Sequence, residues 1–316
     1  MPSEPSEIPQ AKVTIGIPML NPGRALVGAI RSVFAQTFED WALVLVDDGS
    51  GDGSVERARA IRDPRVVVVA DGQHRGLAHR LNQLAVLARG PYLARMDADD
   101  LMHPDRLARQ VDLLDAAGDV DVAGSGIFIV DGTRSILARS VAEPLPGSVE
   151  AVLEKGRLFY HPTVIYRSAF ARENPYDPGY PRAEDLALWC RIVGTARCAV
   201  LDDPLLFYRV PIPVDLRAYA GTTRSVRALL RTFGGALSPG TRRALLWKTH
   251  GSVWAYRSAG LLGLHRALIR RRGCPVPESE RRGAEAALAR IDGTRVPGWD
   301  LSPSPQGEGM GPSMPC

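Results

Sequence analysis

The chain has 316 residues, 45% of them hydrophobic, and a formal net charge of +4, enough for one large or two modest domains with a real core. Its four cysteines, Cys190, Cys198, Cys274 and Cys316, form no CxxC pair, and no apolar run reaches the ~18 residues of a spanning helix, so a disulfide framework, a cysteine zinc site and a membrane span are not expected. The opening MPSEPSEIPQ lacks the basic-then-apolar pattern of a secretion signal, and a reducing cytoplasm is the expected location.

The first half alternates strand and helix. Val13–Met19 is β-rich and ends at Asn21-Pro22-Gly23, and residues 24–36 place Leu26, Ile30, Val33 and Phe34 on one helical face. A second buried strand, 42–46, runs into Asp47-Asp48-Gly49-Ser50. A short helix over 53–62, strand Val66–Ala70, and a helix marked by Leu77, Leu81, Leu84 and Ala88 and closed by Gly90 follow. Strand 92–96 then delivers Asp97, Asp99 and Asp100. Pro104 suits the first position of a helix whose stripe is Leu107, Val111 and Leu114. Such alternation predicts an α/β fold with βαβ units and a mainly parallel sheet flanked by helices. Beyond about residue 120, the runs 120–130, 158–167 and 198–210 read as strands, with one helix over 184–194. Residues 216–296 read as a helical C-terminal extension, and the Pro/Gly/Ser-rich last 20 residues read as disordered.

Asp48, Asp97 and Asp99 end predicted parallel strands, and in a right-handed α/β sheet those ends share one edge. Clustered carboxylates repel unless a cation or donors offset the charge, and hard divalent ions such as Mn²⁺ or Mg²⁺ are held this way beside substrate phosphates. Turn chemistry in DDGSGDGS, and a helix cap before His103-Pro104-Asp105, are the plainer alternatives. A calcium loop fails on spacing, with Arg59 where a bidentate Glu is needed from Asp48, and Ala108 from Asp97. The loop MLNPG after the first strand is no dinucleotide fingerprint.

The pieces VTIGIPMLN (13–21), LVLVDDGSGDGS (43–54), RGLAHRLN (75–82), YLARMDADD (92–100), HPDRLARQ (103–110), FYHPTVIYR (159–167) and AEDLALWCRI (183–192) stand in one order, and with them the chain resembles the family 2 inverting glycosyltransferases of the GT-A fold. The resemblance covers roughly residues 11–210. It implies a GT-A domain over 11–215; outside it, composition reads as a flexible N-terminus over 1–10, a basic helical region over 216–296 and a disordered tail over 297–316. It also implies roles. Pro18 and Asn21 in the first-strand loop would line the nucleotide pocket, and Asp48 would accept from the base. Arg75 and Asn82 would contact the nucleotide, Asp97 the ribose or the metal shell, and Asp99 the Mn²⁺ or Mg²⁺ between diphosphate oxygens. Asp185 matches the catalytic base, with Glu184 orienting it or meeting the acceptor.

That chemistry suits these residue types. Charge growing on a departing phosphate is offset by a cation acting as a Lewis acid, and one carboxylate can take the proton of the attacking hydroxyl. A single displacement then inverts the anomeric centre without a covalent intermediate. UDP is the expected nucleotide, because the family most often uses it, and a glycan or lipid-linked acceptor in cell-surface polysaccharide synthesis is the expected partner. His161 reads either as a satisfied core histidine or as an acceptor or metal contact. Arg209 reads either as a diphosphate partner or as an ordinary ion pair. A nucleotidyltransferase and a non-catalytic nucleotide-sugar binder are the alternatives; the first lacks the basic, Gly-rich phosphate loop it would need.

Charge is uneven: residues 216–300 carry 16 Lys and Arg against 5 Asp and Glu, whereas residues 1–215 carry 23 against 29. No nucleic-acid motif accompanies the basic part, so no nucleic-acid partner is expected. Residues 251–272 can form a basic amphipathic helix. It either meets an anionic membrane peripherally or packs on the catalytic domain with its arginines in solvent.

Overall fold

Apolar runs of the first hundred residues form β1 (Val13–Met19), β2 (Trp41–Asp47), β3 (Val66–Ala70) and β4 (Tyr92–Arg95), paired in parallel in the order 3-2-1-4. The structure, a computed structural model, describes residues 8–156, 159–211, 215–261, 269–270 and 273–299. Every residue of β1, β2 and β4 is buried, because helices cover both faces of this half of the sheet. Leu43 and Leu45 join Ile15 and Ile17 in a core under α1 (Ala25–Phe34), and α2 (Ser54–Arg59) adds Val55 and Ala58 to it. Val44 and Val46 face the opposite core with Leu81 and Leu84 of α3 (Leu77–Leu87). The alternation is the strand's period of two. Gly16 completes it: a Cβ there would meet the Leu84 side chain at 3.0 Å, so the glycine lets α3 lie against β1.

The second half mixes directions. β5 (Leu101–Met102), β6 (Val122–Val130), β7 (Ile136–Ser140), β8 (Ile165–Arg167) and β9 (Cys198–Arg209) complete a nine-stranded sheet of order β3-β2-β1-β4-β8-β6-β9-β5, with β7 on β6. β8 runs antiparallel to both β4 and β6, while β6 and β9 are parallel. The α/β architecture expected from the sequence is present, with antiparallel pairs concentrated in this half. Of the strand expected over 158–167, only Ile165–Arg167 among the described residues enters the sheet; His161–Thr163 makes a single 3₁₀ turn. Pro162 explains this, since it cannot donate to a ladder. Helices α4 (Arg106–Ala116), α5 (Val149–Lys155), α6 (Ser168–Glu173) and α7 (Glu184–Ile192) fill the crossovers.

The C-terminal region packs back on the sheet. α8 (Leu216–Thr232) and α9 (Pro239–Leu261) place Leu229, Leu230 and Leu245 in the core that holds Trp189 of α7. α10 (Glu278–Gly293) inserts Ala284, Ala287, Leu288 and Ile291 against Leu101, Phe128 and Phe207. Residues 216–296 are therefore not helical throughout, for Cys274 forms an isolated antiparallel bridge with Arg139. The segment expected to begin a disordered tail at 297 is packed at its start: the Trp299 indole donates to the Arg57 carbonyl at 2.8 Å. At the other end Ile8, expected in a flexible terminus, is buried. Of the amphipathic helix expected over 251–272, residues 251–261 end α9 and Ile269 is buried in the core, while 262–268 and 271–272 lie outside the described residues.

Gly90 precedes the strand that carries the carboxylates. A Cβ there would lie 2.0 Å from the Ala11 carbonyl oxygen and 2.8 Å from that of Lys12, both backbone atoms. We expect Gly90→Ala to destabilise the fold by about 2 kcal/mol or more, read as a lowered urea midpoint; an unchanged midpoint would show that β1 and β4 tolerate separation.

Candidate active site

Two loops and one helix start meet at the carboxyl edge of the sheet. The first loop follows β2. Asp47 accepts from the backbone N–H groups of Gly49 at 2.9 Å and Ser50 at 3.1 Å, folding the turn on itself. Asp48 is 4% exposed and reaches across to the segment before α3. One of its oxygens accepts from Arg75 N at 2.7 Å and Arg80 Nε at 2.9 Å; the other accepts from Gly76 N at 3.0 Å and lies 2.8 Å from His74 Nδ1. Arg80, 1% exposed, also grips Asp71 through Nη2 at 2.7 Å, and this ion pair holds the Asp71 carboxyl well below the usual carboxylate range. Asp48, expected to take a hydrogen bond from a base, thus has both oxygens engaged by protein donors. The loop is pinned to β1 by Asn21, which has a φ of 48° and whose side chain accepts from Gly51 N at 2.9 Å.

The second loop follows β4. Asp97, Asp99 and Asp100 bring carboxylate oxygens within 4.8 Å of one another, the only such group among the described residues. Asp97 is held in a two-point pair by Arg95, whose Nη2 and Nη1 lie 2.6 and 3.2 Å from its two oxygens. Arg95 is buried at 3% exposure. Asp99 opens to solvent, yet desolvation among the surrounding protein atoms and the charge of Asp97 push its carboxyl up to about 6. Asp100 is buried; Arg209 N donates to one oxygen at 2.8 Å, its other oxygen has no hydrogen-bond partner, and desolvation raises its carboxyl well above the ordinary range. The Arg209 guanidinium stands close enough for the charges of Asp99 and Asp100 to act on it. Three hard oxygen donors around one opening fit a divalent ion.

The third element is the start of α7. Asp185 is half-buried and accepts from Leu186 N at 2.7 Å. Glu184 is buried, with one oxygen unpartnered and the other 3.9 Å from His161 Nδ1. Burial, reinforced by Asp185, pushes Glu184 up to about 7, and burial raises Asp185 as well. The positive charge of Arg95 opposes both shifts, so the guanidinium that grips Asp97 also acts electrostatically on the start of α7. His161 is buried, its Nε2 lies 2.8 Å from the Tyr176 hydroxyl, and burial drives its pKa well below the usual range. Burial and the Tyr176 contact are the features expected of a core histidine.

Not every candidate converges. Asn82 uses its amide on a backbone pair, donating to Tyr176 O at 2.8 Å and accepting from Tyr176 N at 2.7 Å, so it anchors that loop instead of facing the carboxylates. The Arg75 guanidinium lies 3.4 Å from Asp71, at the outer rim. Pro18 is buried inside β1, paired in register with Val46. Sequence reasoning passed over Arg95 and Arg80. The available signal was a charged residue inside an otherwise apolar strand or helix face, which demands a buried partner.

A mixed sheet with acidic loops at its carboxyl edge and a covering helix defines a GT-A type nucleotide-sugar fold. Residues 14–170 match the family model described as Glycosyl transferase family 2, and the chain belongs to that family. It is 37% identical over 200 residues to the succinoglycan biosynthesis protein ExoO of Rhizobium meliloti, covering 60% of this chain and 58% of ExoO. Among solved structures it is similar to Staphylococcus aureus TarS 1-349 in complex with UDP-GlcNAc, at a TM-score of 0.54 and 18% identity over 90% of this chain and 82% of that one. It is similar also to the mannosyltransferase PcManGT of Pyrobaculum calidifontis in complex with GDP-Man and Mn²⁺, at a TM-score of 0.52 and 20% identity over 90% and 82%.

Crowded acids have a stability signature. Glu184 binds its proton more tightly in the folded chain than in the unfolded one, so its contribution is full below about pH 4.5 and is lost as pH rises through about 7. In the presence of a chelator, unfolding free energy should fall between these limits, by on the order of 3 kcal/mol at most from this group. Glu184→Gln should flatten that slope in urea titrations across the range; an unchanged slope would mean the site's other acids carry it.

Proposed function

We propose that this chain is an inverting glycosyltransferase that moves a sugar from a nucleotide-diphosphate sugar, with UDP-sugar as the donor class, to an acceptor hydroxyl in cell-surface polysaccharide synthesis. One observation carries the reading: a three-carboxylate group with oxygens within 4.8 Å and the Glu184–Asp185 pair share one buried cation, Arg95. A donor and an acceptor held on either side of that cation would meet between an electrophilic pocket and a base.

In this reading Asn21, Pro18 and the Asp48–Gly76 contact shape the nucleotide pocket, with Arg75 at its rim and Asn82 supporting it from behind. Asp97 and Asp99 hold Mn²⁺ or Mg²⁺, with Asp100 behind them, and when bound the ion offsets charge on the departing diphosphate. Arg209, facing the same acids, adds positive charge on the diphosphate side. Asp185 takes the acceptor hydroxyl's proton. Glu184, which holds a proton up to about pH 7, leaves Asp185 as the ionised member of the pair at neutral pH. The α7 N-terminus and Arg95 favour that ionised form. The similarity to ExoO, a succinoglycan biosynthesis protein, and to TarS in complex with UDP-GlcNAc supports the pathway class and the donor class.

Calorimetry of UDP, GDP and dTDP, each with and without Mn²⁺, should show one nucleotide binding in a metal-dependent way, lost in Asp99→Ala. In turnover, Asp185→Asn should retain donor binding while kcat falls by roughly 10²–10⁴-fold. No nucleotide binding in any condition would overturn the reading.

A further inference from the structure

Residues 216–261 contain eight Lys and Arg and not one Asp or Glu. They fold as the α8–α9 hairpin. Its inner face is settled by packing: Leu245 and Thr249 are buried, Tyr256 meets Tyr219 of α8 with ring centroids 4.5 Å apart, and Arg227 Nε lies 3.2 Å from Thr249 Oγ1. The opposite face of α9 carries Arg243, Trp247, His250 and Trp254, whose spacing of four, three and four residues keeps them on one stripe. All four are exposed, and the indoles of Trp247 and Trp254 are exposed at 74% and 69%. Two large aromatics so exposed on one stripe are unusual for a helix whose other face is already packed.

We propose that the outer face of the α8–α9 hairpin is a docking surface for an anionic lipid bilayer, with Trp247 and Trp254 entering the headgroup layer and the surrounding Arg and Lys side chains meeting lipid phosphates. Exposed Arg217, Arg224, Arg231, Arg242, Arg243 and Lys248 supply the charge complementarity. Indole rings favour the membrane–water boundary, where an apolar body and a polar N–H are both accommodated. Residues 239–261 include no Asp, Glu, Asn or Gln, so α9 presents no carboxylate or amide side chain to bond sugar hydroxyls.

The surface is tied to the site. Ser225 of α8 donates to the Pro181 carbonyl, a Cβ on Gly221 would lie 3.0 Å from the Arg182 side chain, and Tyr180 and Thr232 hydroxyls lie 2.8 Å apart. Residues 180–182 lead directly into Glu184 and Asp185. A bilayer at the hairpin would therefore lie beside the segment that places the proposed base, the side on which a lipid-linked acceptor would approach. The surface extends the glycosyltransferase reading, but its test does not depend on turnover.

The test is flotation of the full chain with phosphatidylcholine vesicles, with and without phosphatidylglycerol, at low and high salt. Binding to the anionic vesicles alone, weakened by salt and accompanied by a blue shift of tryptophan emission, is expected. Trp247→Ser with Trp254→Ser, and separately Arg243→Glu with Lys248→Glu, should each lower partitioning by on the order of tenfold or more. Circular dichroism and nucleotide calorimetry of each variant report folding independently, since none of these residues belongs to the proposed active site. Failure of the wild-type chain to float with anionic vesicles would overturn the proposal. So would equal binding to neutral vesicles, or a fluorescence response to polysaccharide or single-stranded DNA in place of lipid.

Discussion

The site depends on a cation buried at the end of a central strand. Arg95 is the last residue of a buried strand, and Asp97, two residues on, closes a two-point pair with it. Burying a guanidinium is costly unless its charge is met, and meeting it costs less when the acids that need it are also desolvated. That mutual need holds the Asp97 loop to the end of β4, and the charge of the same guanidinium reaches Glu184 and Asp185 at the start of α7, far away in sequence. Arg106 extends the arrangement downward: it is fully buried, and its Nη2 donates to the Arg95 carbonyl at 2.8 Å and the Val164 carbonyl at 3.2 Å. The same guanidinium therefore ties the end of β4 to β8 across an antiparallel junction.

A second buried cation organises the loop after β2 in the same way. Arg80 bridges Asp48 and Asp71, and so fixes the segment 71–76 against the β2 loop. Both halves of the pocket follow one rule: an arginine on a regular element, buried to within a few per cent of its surface, orients an aspartate on a loop. Loop carboxylates held like this lose little conformational entropy when a ligand arrives, which favours tight, oriented binding.

Much of the parallel half of the fold was legible because its signals are local. Four apolar runs with Gly, Asn and Asp at their ends read as buried strands and loops, and the strand-end acids read as one edge. The later strands were harder, since Pro162 interrupts a run that is otherwise apolar and β-branched, and only tertiary pairing decides where β8 starts. Arg95 and Arg80 were missed for a different reason. Pattern reading assigns an arginine to solvent by default; its place in an apolar strand or helix face signals burial, but only the three-dimensional structure shows which carboxylates meet it. Asn82 shows the converse: a polar residue near the motif is consumed by the backbone of Tyr176.

The uneven charge of the chain follows from the same economy of placement. Acids concentrate in the part that must gather cations and donors at the sheet edge, while the hairpin beyond residue 215 is free of them from 216 to 261. Were acids scattered along α8 and α9, local ion pairs would neutralise the arginines and weaken long-range attraction to anionic surfaces. Their absence leaves a field of one sign over a helix pair joined, through Pro181 and Arg182, to the start of α7. A charged surface and the carboxylate proposed as the base are thereby linked by a few residues of backbone, so anything that orients the hairpin also orients the segment before Asp185.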